Sequence, residues 1–393
     1  MRSVKKNKQT LLLIGLGELG ARLLDILART PNLGWRIVVA SRTPEQAQRR
    51  VNAALFAASY ADQFPEIEFR AVNLENRDAT ASLISAEAPA IVVNTASRSP
   101  WWARGLLPSH IRDRLERVGA GPGLWAAGHL GLFRHLLAAM REAACSAPIV
   151  NAAYPDVLHP ALARVAPGPL IGIGNIDLLI PPIRYIVAGI HGLSPRNVTP
   201  FVIAHNFHSS RILSGHDLGG RNPLVKILVN GSDVTPELDL LDLWRRIPVA
   251  TPIPLGAASS AFAVGSLART VFGVLADARI MSHSPGPEGL PGGYPVEISR
   301  AGARVAVPAE IPLQQAIEVN LAGQRGEGIE EIAEDGSLTL TDIAAEVLHD
   351  IFDMQARVIT PPEAEAFAGE LASRFRSLAS RYGIYPSDLR RSA

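Results

Sequence analysis

The stretch Leu11-Leu-Leu-Ile-Gly-Leu-Gly-Glu-Leu-Gly20 decides the fold of the first part of this chain. An apolar run meets the pattern Gly15-x-Gly17-x-x-Gly20, and apolar residues at helical spacing follow at once. Gly15 permits a tight turn, Gly17 lets the backbone approach a pyrophosphate, and Gly20 allows a helix to pack closely on a strand. Unpaired amides at the start of that helix attract phosphate. The pattern therefore predicts a dinucleotide site in a strand–turn–helix unit.

A second apolar strand, residues 35–40, ends about 20 residues beyond the glycines, where the residue that reads the ribose is expected. An acidic residue there would accept from the 2′-hydroxyl of NAD and repel the 2′-phosphate of NADP. This chain instead has Ser41, Arg42 and Thr43, which are all hydrogen-bond donors. The alternative is an ordinary glycine-rich turn that holds no ligand. We predict that the cofactor is NADP(H).

Length, charge and cysteine content exclude several classes of protein. With 393 residues and a net charge of +1, the chain is long enough for two domains, and nothing favours nucleic acid or a membrane as a partner. Residues 1–10 are basic but lead directly into the first strand, so we do not interpret them as a signal peptide. Cys145 is the only cysteine, which excludes an internal disulfide and favours a cytoplasmic location. The longest apolar stretch, 257–276, contains Arg269 and several hydroxyl side chains and predicts a buried helix.

Alternating strand and helix patterns in the first part predict an α/β fold, a mostly parallel sheet covered on both faces. Further strands are predicted at 67–72, 90–94 and 148–153, with helices at 44–61, 79–86 and 130–144. These elements define a Rossmann-type NADP-binding domain over 1–150.

An insert at 99–128 interrupts this pattern. It contains the adjacent Trp101 and Trp102, which are compatible with covering the cofactor, filling a dimer seam or packing in the core. We expect a homodimer.

The pattern of predicted strands and helices changes after residue 150. Short strand patterns between Pro- and Gly-rich turns predict an α+β substrate-binding and dimerisation domain with an antiparallel sheet over 151–341. C-terminal helices over 342–393 are predicted to pack on both domains. The strand candidates are 170–173, 199–204, 224–229, 294–299, 304–307 and 338–340; a helix is predicted after Thr235-Pro236, and 284–293 is predicted to be a surface loop.

Several motifs together resemble the saccharopine-dehydrogenase-like and opine-dehydrogenase-like proteins. They are the glycine pattern with Ser41-Arg42, then Val72-Asn-Leu-Glu-Asn-Arg-Asp78 leading into Ile91-Val-Val-Asn-Thr-Ala96, and finally Val150-Asn-Ala-Ala-Tyr-Pro-Asp156 with His159-Pro160. The resemblance covers about the first 160 residues.

In such proteins the third strand ends beside the adenine and the fourth ends beside the nicotinamide. Asn73 stands where an aspartate is common, which removes a negative acceptor near the adenine amine. The predicted cofactor-binding residues are therefore Gly15, Gly17, Glu18, Leu19, Gly20, Ser41, Arg42, Thr43, Asn73, Leu74, Thr95 and Ala96.

Candidate proton donors gather in Ala204-His-Asn-Phe-His-Ser-Ser-Arg211, just past a predicted strand. Histidine suits proton transfer because its pKa lies near neutrality. His205 and His208 would point to opposite faces of a continued strand, so at most one of them is expected to face the site. A zinc site on this pair with Asp217 lacks further ligands, and no metal is expected. The alternative is that both histidines are hydrogen-bonded for structural reasons.

Arg211 and Arg221 are candidates for holding a substrate carboxylate by a two-point fork, with Arg184 as a third, although each is equally compatible with a surface role. Tyr154 and Asp156 lie at the predicted domain junction. Tyr154 is a further catalytic candidate. Asp156 is interpreted either as a substrate-binding residue of the cleft or as a helix cap.

The resemblance implies an NADP(H)-dependent oxidoreductase that reduces an imine or a ketone on a small molecule bearing a carboxylate. In this scheme a histidine, His205 or His208, supplies the proton, and arginines orient the carboxylate. The alternative function is a non-catalytic NADP-binding sensor or scaffold, which would need the glycines and Arg42 but none of the histidines.

The first prediction concerns the choice of cofactor. Because Arg42 can pair with a 2′-phosphate, Arg42→Ala is expected to weaken NADPH binding by about 1.5–3 kcal/mol, the scale of a charged hydrogen bond. NADH binding should hardly change. Titration of both cofactors into the wild type and the variant measures this, and equal losses for NADPH and NADH would contradict it.

Overall fold

Six parallel strands form the central sheet, as the alternating pattern in the first part of the chain predicts. The computed structural model describes residues 8–98, 101–117, 122–254 and 256–385; the basic residues 1–7 and the side chain of Trp101 lie outside this description. Leu11, Leu12 and Leu13 on the first strand are all fully buried. A parallel sheet that is covered on both faces requires such continuous apolar strands.

The strands of this sheet are β1 (Thr10–Ile14), β2 (Arg36–Ser41), β3 (Glu66–Ala71), β4 (Ile91–Asn94), β5 (Ile149–Asn151) and β6 (Leu170–Gly172). Their spatial order is β3-β2-β1-β4-β5-β6. This is the order of a doubly wound dinucleotide-binding fold, in which ligands bind at the carboxyl edge where the order reverses. The helices of this part are α1 (Glu18–Arg29), α2 (Pro44–Ser59), α3 (Arg77–Glu87), α4 (Ser109–Arg117), α5 (Ala126–Glu142) and α6 (Pro155–Leu162).

The strand register aligns the carboxyl ends of the central strands in one row. Ile14 of β1 pairs with Asn94 of β4, and Asn94 pairs with Asn151 of β5. Asn151 in turn pairs with Gly172 of β6. Since the strands are parallel, the loops that follow them all leave the sheet along the same edge. This edge carries the glycine loop and most of the predicted site residues.

The second part of the chain is α+β with small antiparallel sheets, as predicted. Its helices are α7 (Ile180–His191), α8 (Asn206–Leu213), α9 (Leu240–Ala250), α10 (Ser260–Ala276) and α11 (Leu313–Gly326). One sheet contains β7 (Val198–Ile203), β8 (Leu224–Val229) and β9 (Ser232–Asp233); another contains β10 (Ile280–Pro285), β11 (Gly293–Ser299) and β12 (Gly302–Val305); a third contains β13 (Ile329–Ile332), β14 (Leu338–Leu340) and β15 (Val358–Ile359).

The C-terminal helices α12 (Asp342–Phe352) and α13 (Ala364–Arg381) pack against the helical layer that contains α5. The ring of Trp125 lies edge-on to Phe352 and to Phe375, with centroids 5.9 and 6.3 Å apart. Glu365 of α13 accepts from His135 of α5 at 2.9 Å. The C-terminal segment is therefore joined to the nucleotide-binding half by apolar and polar contacts.

Three sequence-based predictions about these elements were wrong. The strand predicted at 170–173 in the second domain is β6 of the parallel sheet, so this sheet continues past residue 150. The helix predicted after Thr235-Pro236 is present, but that pair, expected as its cap and first turn, does not start it; the helix begins at Leu240, because Asp239 accepts from two free amides and supplies the cap. The loop predicted at 284–293 is largely buried: Ser284 is 0% exposed and its hydroxyl donates to Gly172 O at 2.9 Å.

Within the described ranges, none of the helices combines the length and the apolar character that crossing a membrane requires.

The close approach of β6 to β10 generates the second prediction. A Cβ on Gly172 would lie 2.0 Å from the carbonyl oxygen of Pro285, which is backbone and cannot rotate away. Gly172→Ala is therefore expected to lower the free energy of unfolding by about 1–3 kcal/mol in a denaturant titration. Gly189→Ala is the control, because its Cβ would meet nothing within 4 Å on helix α7. The control should be neutral or stabilising by about 0.5–1 kcal/mol, and equal destabilisation by both changes would contradict the prediction.

Candidate functional site

The glycine loop after β1 has the geometry that a pyrophosphate requires. Gly15 adopts φ +90°, and a Cβ there would lie 2.6 Å from Ala96 N. A Cβ on Gly20 would lie 2.3 Å from Gly15 O, so this glycine allows α1 to pack on the loop. Gly17 is different: it is exposed, and a Cβ there would meet nothing within 4 Å. The space above Gly17 is open to a ligand.

The start of α1 is also suited to an anion. No side chain caps its first turn, which leaves backbone amides without a side-chain acceptor. Glu18 is the first residue of the helix, and its carboxylate pairs with Arg22 at 2.7 Å instead of capping the amides. Leu19 is half-buried. A phosphate is the acceptor that such helix amides commonly bind, so the residues present fit a dinucleotide.

The loop after β2 presents donors where the ribose is expected. The hydroxyls of Ser41 and Thr43 lie 3.4 Å apart. Arg42 is exposed and has no hydrogen-bond or ion-pair partner among the residues that the structure describes. A second guanidinium, Arg50 of α2, donates to the carbonyl of Leu16 inside the glycine loop. Sequence reasoning missed Arg50, because a lone arginine six residues into a helix carries no local signal.

The loops after β3 and β4 complete the cofactor edge. Asn73 is exposed and its amide oxygen accepts from Glu75 N at 3.2 Å, whereas Leu74 is buried in the core. The Thr95 hydroxyl donates to Gly15 O at 2.7 Å. Ala96 N donates to the side chain of Asn94 at 3.2 Å. The predicted residues after β1 and β4 are therefore in direct contact, and those after β2 and β3 lie along the same edge.

A buried hydrogen-bond chain runs from this edge into the second part of the chain. The Asn94 amide donates to Asn151 Oδ1 at 2.9 Å, and the Asn151 amide lies 3.2 Å from His159 Nε2. The other ring nitrogen of His159 lies 3.1 Å from the carbonyl oxygen of Gly286. Since a carbonyl only accepts, this nitrogen carries the proton and Nε2 accepts from Asn151. Burial lowers the pKa of His159 to about 4, so the ring stays neutral.

Tyr154 follows β5 on this edge in an unusual conformation. Its φ of +45° lies in the left-handed region that favours glycine. Residues held in such conformations cluster at functional sites. The Tyr154 hydroxyl donates to the carboxyl group of Glu327, and the side chain stays partly exposed. Burial raises the pKa of Tyr154 well above its usual value.

Glu327 is the residue that sequence reasoning missed most completely. It follows the end of α11, is only 2% exposed and also accepts from Asn206 Nδ2 at 2.6 Å. Burial raises the pKa of Glu327 to about 8, so it holds a proton near neutral pH. Tyr154 and Glu327 are 173 positions apart, and no local pattern connects them.

The structure corrects the expected geometry of the two histidines. The strand β7 ends at Ile203, and His205 caps helix α8 instead of continuing the strand. His205 N donates to His208 Nδ1 at 2.9 Å, and both rings lie against Gly323 of α11, where a Cβ would be 2.4 Å from His205 and 2.8 Å from His208. The expectation that they point to opposite faces was wrong, because a capped helix turn replaces the strand.

Both histidines are fully buried. Burial lowers the pKa of His205 to about 3 and that of His208 to about 4, so both rings are neutral. His205 Nδ1 accepts from Phe207 N at 3.3 Å and lies 3.7 Å from a carboxyl oxygen of Glu327. The structure thus brings His205 beside the Tyr154–Glu327 pair.

Asp156 lies in the first turn of α6 and is fully buried. Its carboxyl oxygens accept from Asn206 N at 2.9 Å and from the amide of Asn175. Burial raises the pKa of Asp156 to about 6. Helix α6 begins at Pro155, with Tyr154 at the cap position, so Asp156 is not the helix cap. It joins α6 to the start of α8.

The contacts of the predicted arginines are with groups other than Tyr154. Arg211 and Arg221 flank the ring of Phe207 at 5.3 and 5.9 Å, and Arg211 donates to the backbone oxygens of Glu116 and Asp217. The charge of Arg184 instead interacts with that of Asp177. The carboxylate of Asp177 lies 3.9 Å from His283. In the part of the chain that the structure covers, no group of three or more His, Cys, Asp or Glu side chains is arranged to hold a metal ion.

The parallel sheet and the glycine loop define a Rossmann-type fold. Residues 11–99 match the family model described as the saccharopine dehydrogenase NADP binding domain. This segment contains the glycine loop, Ser41–Thr43 and the ends of β3 and β4. The resemblance inferred from the sequence is confirmed for these residues.

Solved dehydrogenase structures share the fold over most of the chain. Malate dehydrogenase from Plasmodium falciparum in complex with NADH is 12% identical, with a TM-score of 0.53, 81% of this chain covered and 98% of that one. The apo malate dehydrogenase from Picrophilus torridus is 15% identical, with a TM-score of 0.54 and coverages of 81% and 96%. The lactate dehydrogenase from Cryptosporidium parvum, complexed with lactic acid and nicotinamide adenine dinucleotide, is 14% identical, with a TM-score of 0.50 and coverages of 81% and 98%.

A comparison with curated proteins found no match. At these identities the structural likeness shows the fold alone. The family match over residues 11–99 and the fold shared with solved dehydrogenases together support an oxidoreductase.

The third prediction separates cofactor binding from folding. Gly17→Val introduces a branched side chain into the open space of the loop, so NADPH binding should be lost while the melting temperature stays close to that of the wild type. Gly20→Val is the matched change, because its Cβ would overlap Gly15 O at 2.3 Å. It should lower the melting temperature as well. NADPH binding of wild-type strength in the Gly17→Val variant would contradict the assignment of the phosphate site.

Proposed function

We propose that this protein is an NADP(H)-dependent oxidoreductase that reduces an imine or a ketone on a small molecule bearing a carboxylate. The observation that carries the proposal is the pair of Tyr154 and Glu327 on the carboxyl edge of the sheet. A hydroxyl backed by a protonated carboxyl group is a renewable proton donor, which reduction of a C=O or C=N bond requires. The glycine loop on the same edge supports the cofactor assignment.

The preference for NADP(H) over NAD(H) rests on the loop after β2. Arg42 is available for a 2′-phosphate, and the hydroxyls of Ser41 and Thr43 add two further donors. None of these three positions carries an acid that would repel a phosphate. The description of the matching family as NADP-binding agrees with this preference.

When bound, the reduced nicotinamide supplies the hydride that adds to the substrate carbon. For this step the Tyr154 hydroxyl turns away from the Glu327 carboxyl group, to which it donates in the structure, and donates its proton to the substrate oxygen or nitrogen. Because burial strongly disfavours an ionised Tyr154, Glu327 returns its own proton to the phenol oxygen in the same step. The negative charge then rests on the Glu327 carboxylate, which the amide of Asn206 stabilises at 2.6 Å. In the oxidation direction the same protons move in reverse.

His205 acts in this proposal as a positioning residue. Its neutral ring offers Nδ1 to the side of Glu327, and it caps the helix that carries Asn206. The prediction that His205 or His208 donates the proton directly is the competing assignment. A ring whose pKa is lowered to about 3 or 4 is a neutral imidazole near neutrality, and the N–H of a neutral imidazole is too weak an acid to serve as the proton donor.

The fourth prediction concerns the dependence of the reaction on pH. Since Glu327 loses its proton with a pKa of about 8, kcat/KM for reduction in the wild type is expected to fall as the pH rises through about 8. Glu327→Gln and Tyr154→Phe should each slow single-turnover reduction by about 10²–10⁴-fold, and Glu327→Gln should remove this pH dependence. NADPH absorbance is followed with pyruvate or 2-oxoglutarate, alone and with ammonium or glycine.

His205→Gln and His208→Gln are measured beside these variants. If either histidine donates the proton, its loss should slow the reaction as much as predicted for Tyr154→Phe, and Tyr154→Phe should then be normal; that pattern would overturn the assignment. Tight NADPH binding with no consumption of NADPH by any substrate would favour the sensor or scaffold instead.

Stability provides a readout that does not depend on turnover. The folded protein holds the Glu327 proton more tightly than the unfolded chain does, so this group stabilises the fold fully at pH values below its ordinary pKa of 4.5. Its contribution falls as the pH rises from there and is lost above about 8. In the Glu327→Gln variant, this pH-dependent decrease in the free energy of unfolding should be absent.

A further inference from the structure

The outer strand β3 of the parallel sheet has one free side. It pairs with β2 and with no other strand in the described part of the chain. Val72 N, just past β3, donates to Ser41 O of β2 at 3.0 Å. Because successive residues of a strand direct their backbone groups to opposite sides, Ile67, Phe69 and Ala71 direct theirs away from β2. A free strand edge of this kind is a template for a further strand.

The backbone groups on this free edge are available for pairing. Among the described residues, the N–H and C=O groups of Ile67 and Ala71 have no hydrogen-bond partner, and neither has the N–H of Phe69. The carbonyl oxygen of Phe69 accepts from Arg70 Nη1 at 3.1 Å, and its second lone pair can accept again. Ala71 is exposed and Phe69 is half-buried, so a second strand can reach this edge.

The charged side chains beside this edge are balanced in sign. Glu68 and Arg70 alternate with Phe69 along β3, so they lie on the opposite face of the sheet, where their charged groups are 2.6 Å apart. They belong to one network of three acids and three bases, whose other members are Glu66, Glu87, Lys8 and Arg36. Two copies of this surface can therefore approach each other without a net charge that would keep them apart.

The order of the residues in β3 is complementary to itself in an antiparallel pair. When Phe69 lies opposite Phe69 of a second copy, Glu68 lies opposite Arg70, and Ile67 lies opposite Ala71. The outward residues then exchange both backbone hydrogen bonds, and the charged residues occupy the non-hydrogen-bonded positions, where side chains are closest. Moving the twofold axis by one residue would place Glu68 opposite Glu68, or Arg70 opposite Arg70. Of these three registers, the one centred on Phe69 opposes unlike charges.

We infer that β3 pairs with β3 of a second copy of this chain, in the antiparallel register centred on Phe69. The two parallel sheets then form one continuous sheet across a twofold axis, and this edge is the interface of the homodimer expected from the sequence. The partner is a second copy because the charge pattern of Glu68 and Arg70 matches itself when the strand is reversed. The carboxyl edges of the two sheets point to opposite ends of this dimer, since the two β3 strands run in opposite directions.

Charge reversal at two positions tests this pairing, with sedimentation velocity of the whole chain over a series of concentrations as the measurement. Glu68→Arg and Arg70→Glu should each raise the dissociation constant of the dimer by about 10- to 100-fold, since two attractive cross-strand pairs become repulsive. An equimolar mixture of the two variants should recover the dimer, because each introduced charge then faces an opposite one and Arg70 of one chain still faces Glu68 of the other. Glu334→Arg and Arg164→Glu reverse an exposed ion pair elsewhere and are the matched controls, which should dimerise as the wild type does.

A backbone variant decides the question if circular dichroism shows that a charge reversal disturbs folding. Ala71→Pro removes an outward N–H and leaves the hydrogen bonds to β2 in place, which an edge strand tolerates, so it should also weaken the dimer. Loss of the dimer in the folded single variants and its recovery in their mixture supports the inference. A wild type that is monomeric at every concentration, a folded variant among these three that dimerises like the wild type, or a mixture of the folded charge-reversed variants that stays monomeric overturns it.

Discussion

The amide–amide hydrogen bond between Asn94 and Asn151 is the constraint on which the site depends. It joins the ends of two neighbouring parallel strands at 2.9 Å, where both side chains are buried. The same two side chains accept from Ala96 N and Ala153 N, so they shape the loops that follow β4 and β5. One of these loops borders the glycine turn and the other leads to Tyr154. Buried polar groups of this kind are stable only when they are fully satisfied, which fixes a single arrangement of the edge.

The proposed chemistry depends on burial more than on any one contact. Glu327 and Asp156 are acids that the surroundings keep from ionising easily, and His205 is a base that they keep neutral. All three shifts have the same leading cause, the cost of placing a charge where protein replaces water.

The fold of the first part could be predicted from the sequence because its signals are local. The glycine pattern, the apolar strands and the donors after β2 each lie within a few residues of one another. The antiparallel nature of the second part could also be predicted, but β6 was assigned to the wrong sheet because a three-residue strand does not reveal its partner. The buried turn at 284–293 looked like a surface loop because its glycines and prolines indicate turns without indicating exposure.

The candidate site was predicted only in part, for a physical reason. His205 was proposed from the sequence because it follows a predicted strand, and Tyr154 because it lies at the predicted domain junction, whereas Glu327 reaches both through tertiary packing. His205 and His208 were expected on a strand, and the capping hydrogen bonds that turn this segment into a helix involve the histidines themselves. A histidine at a cap position is uncommon, so pattern rules for strands gave the wrong geometry.

The backbone conformation of Tyr154 has a consequence for how such a protein can evolve. A tyrosine at φ +45° costs about 1–3 kcal/mol that glycine or asparagine would avoid or reduce. Substitutions that increase stability at this position would therefore replace the tyrosine and remove its hydroxyl. Only selection for the proposed reaction would retain the tyrosine. Under the proposed function, stability and activity oppose each other at this one residue, so loss of the proposed reaction would be expected to release the constraint on this position first.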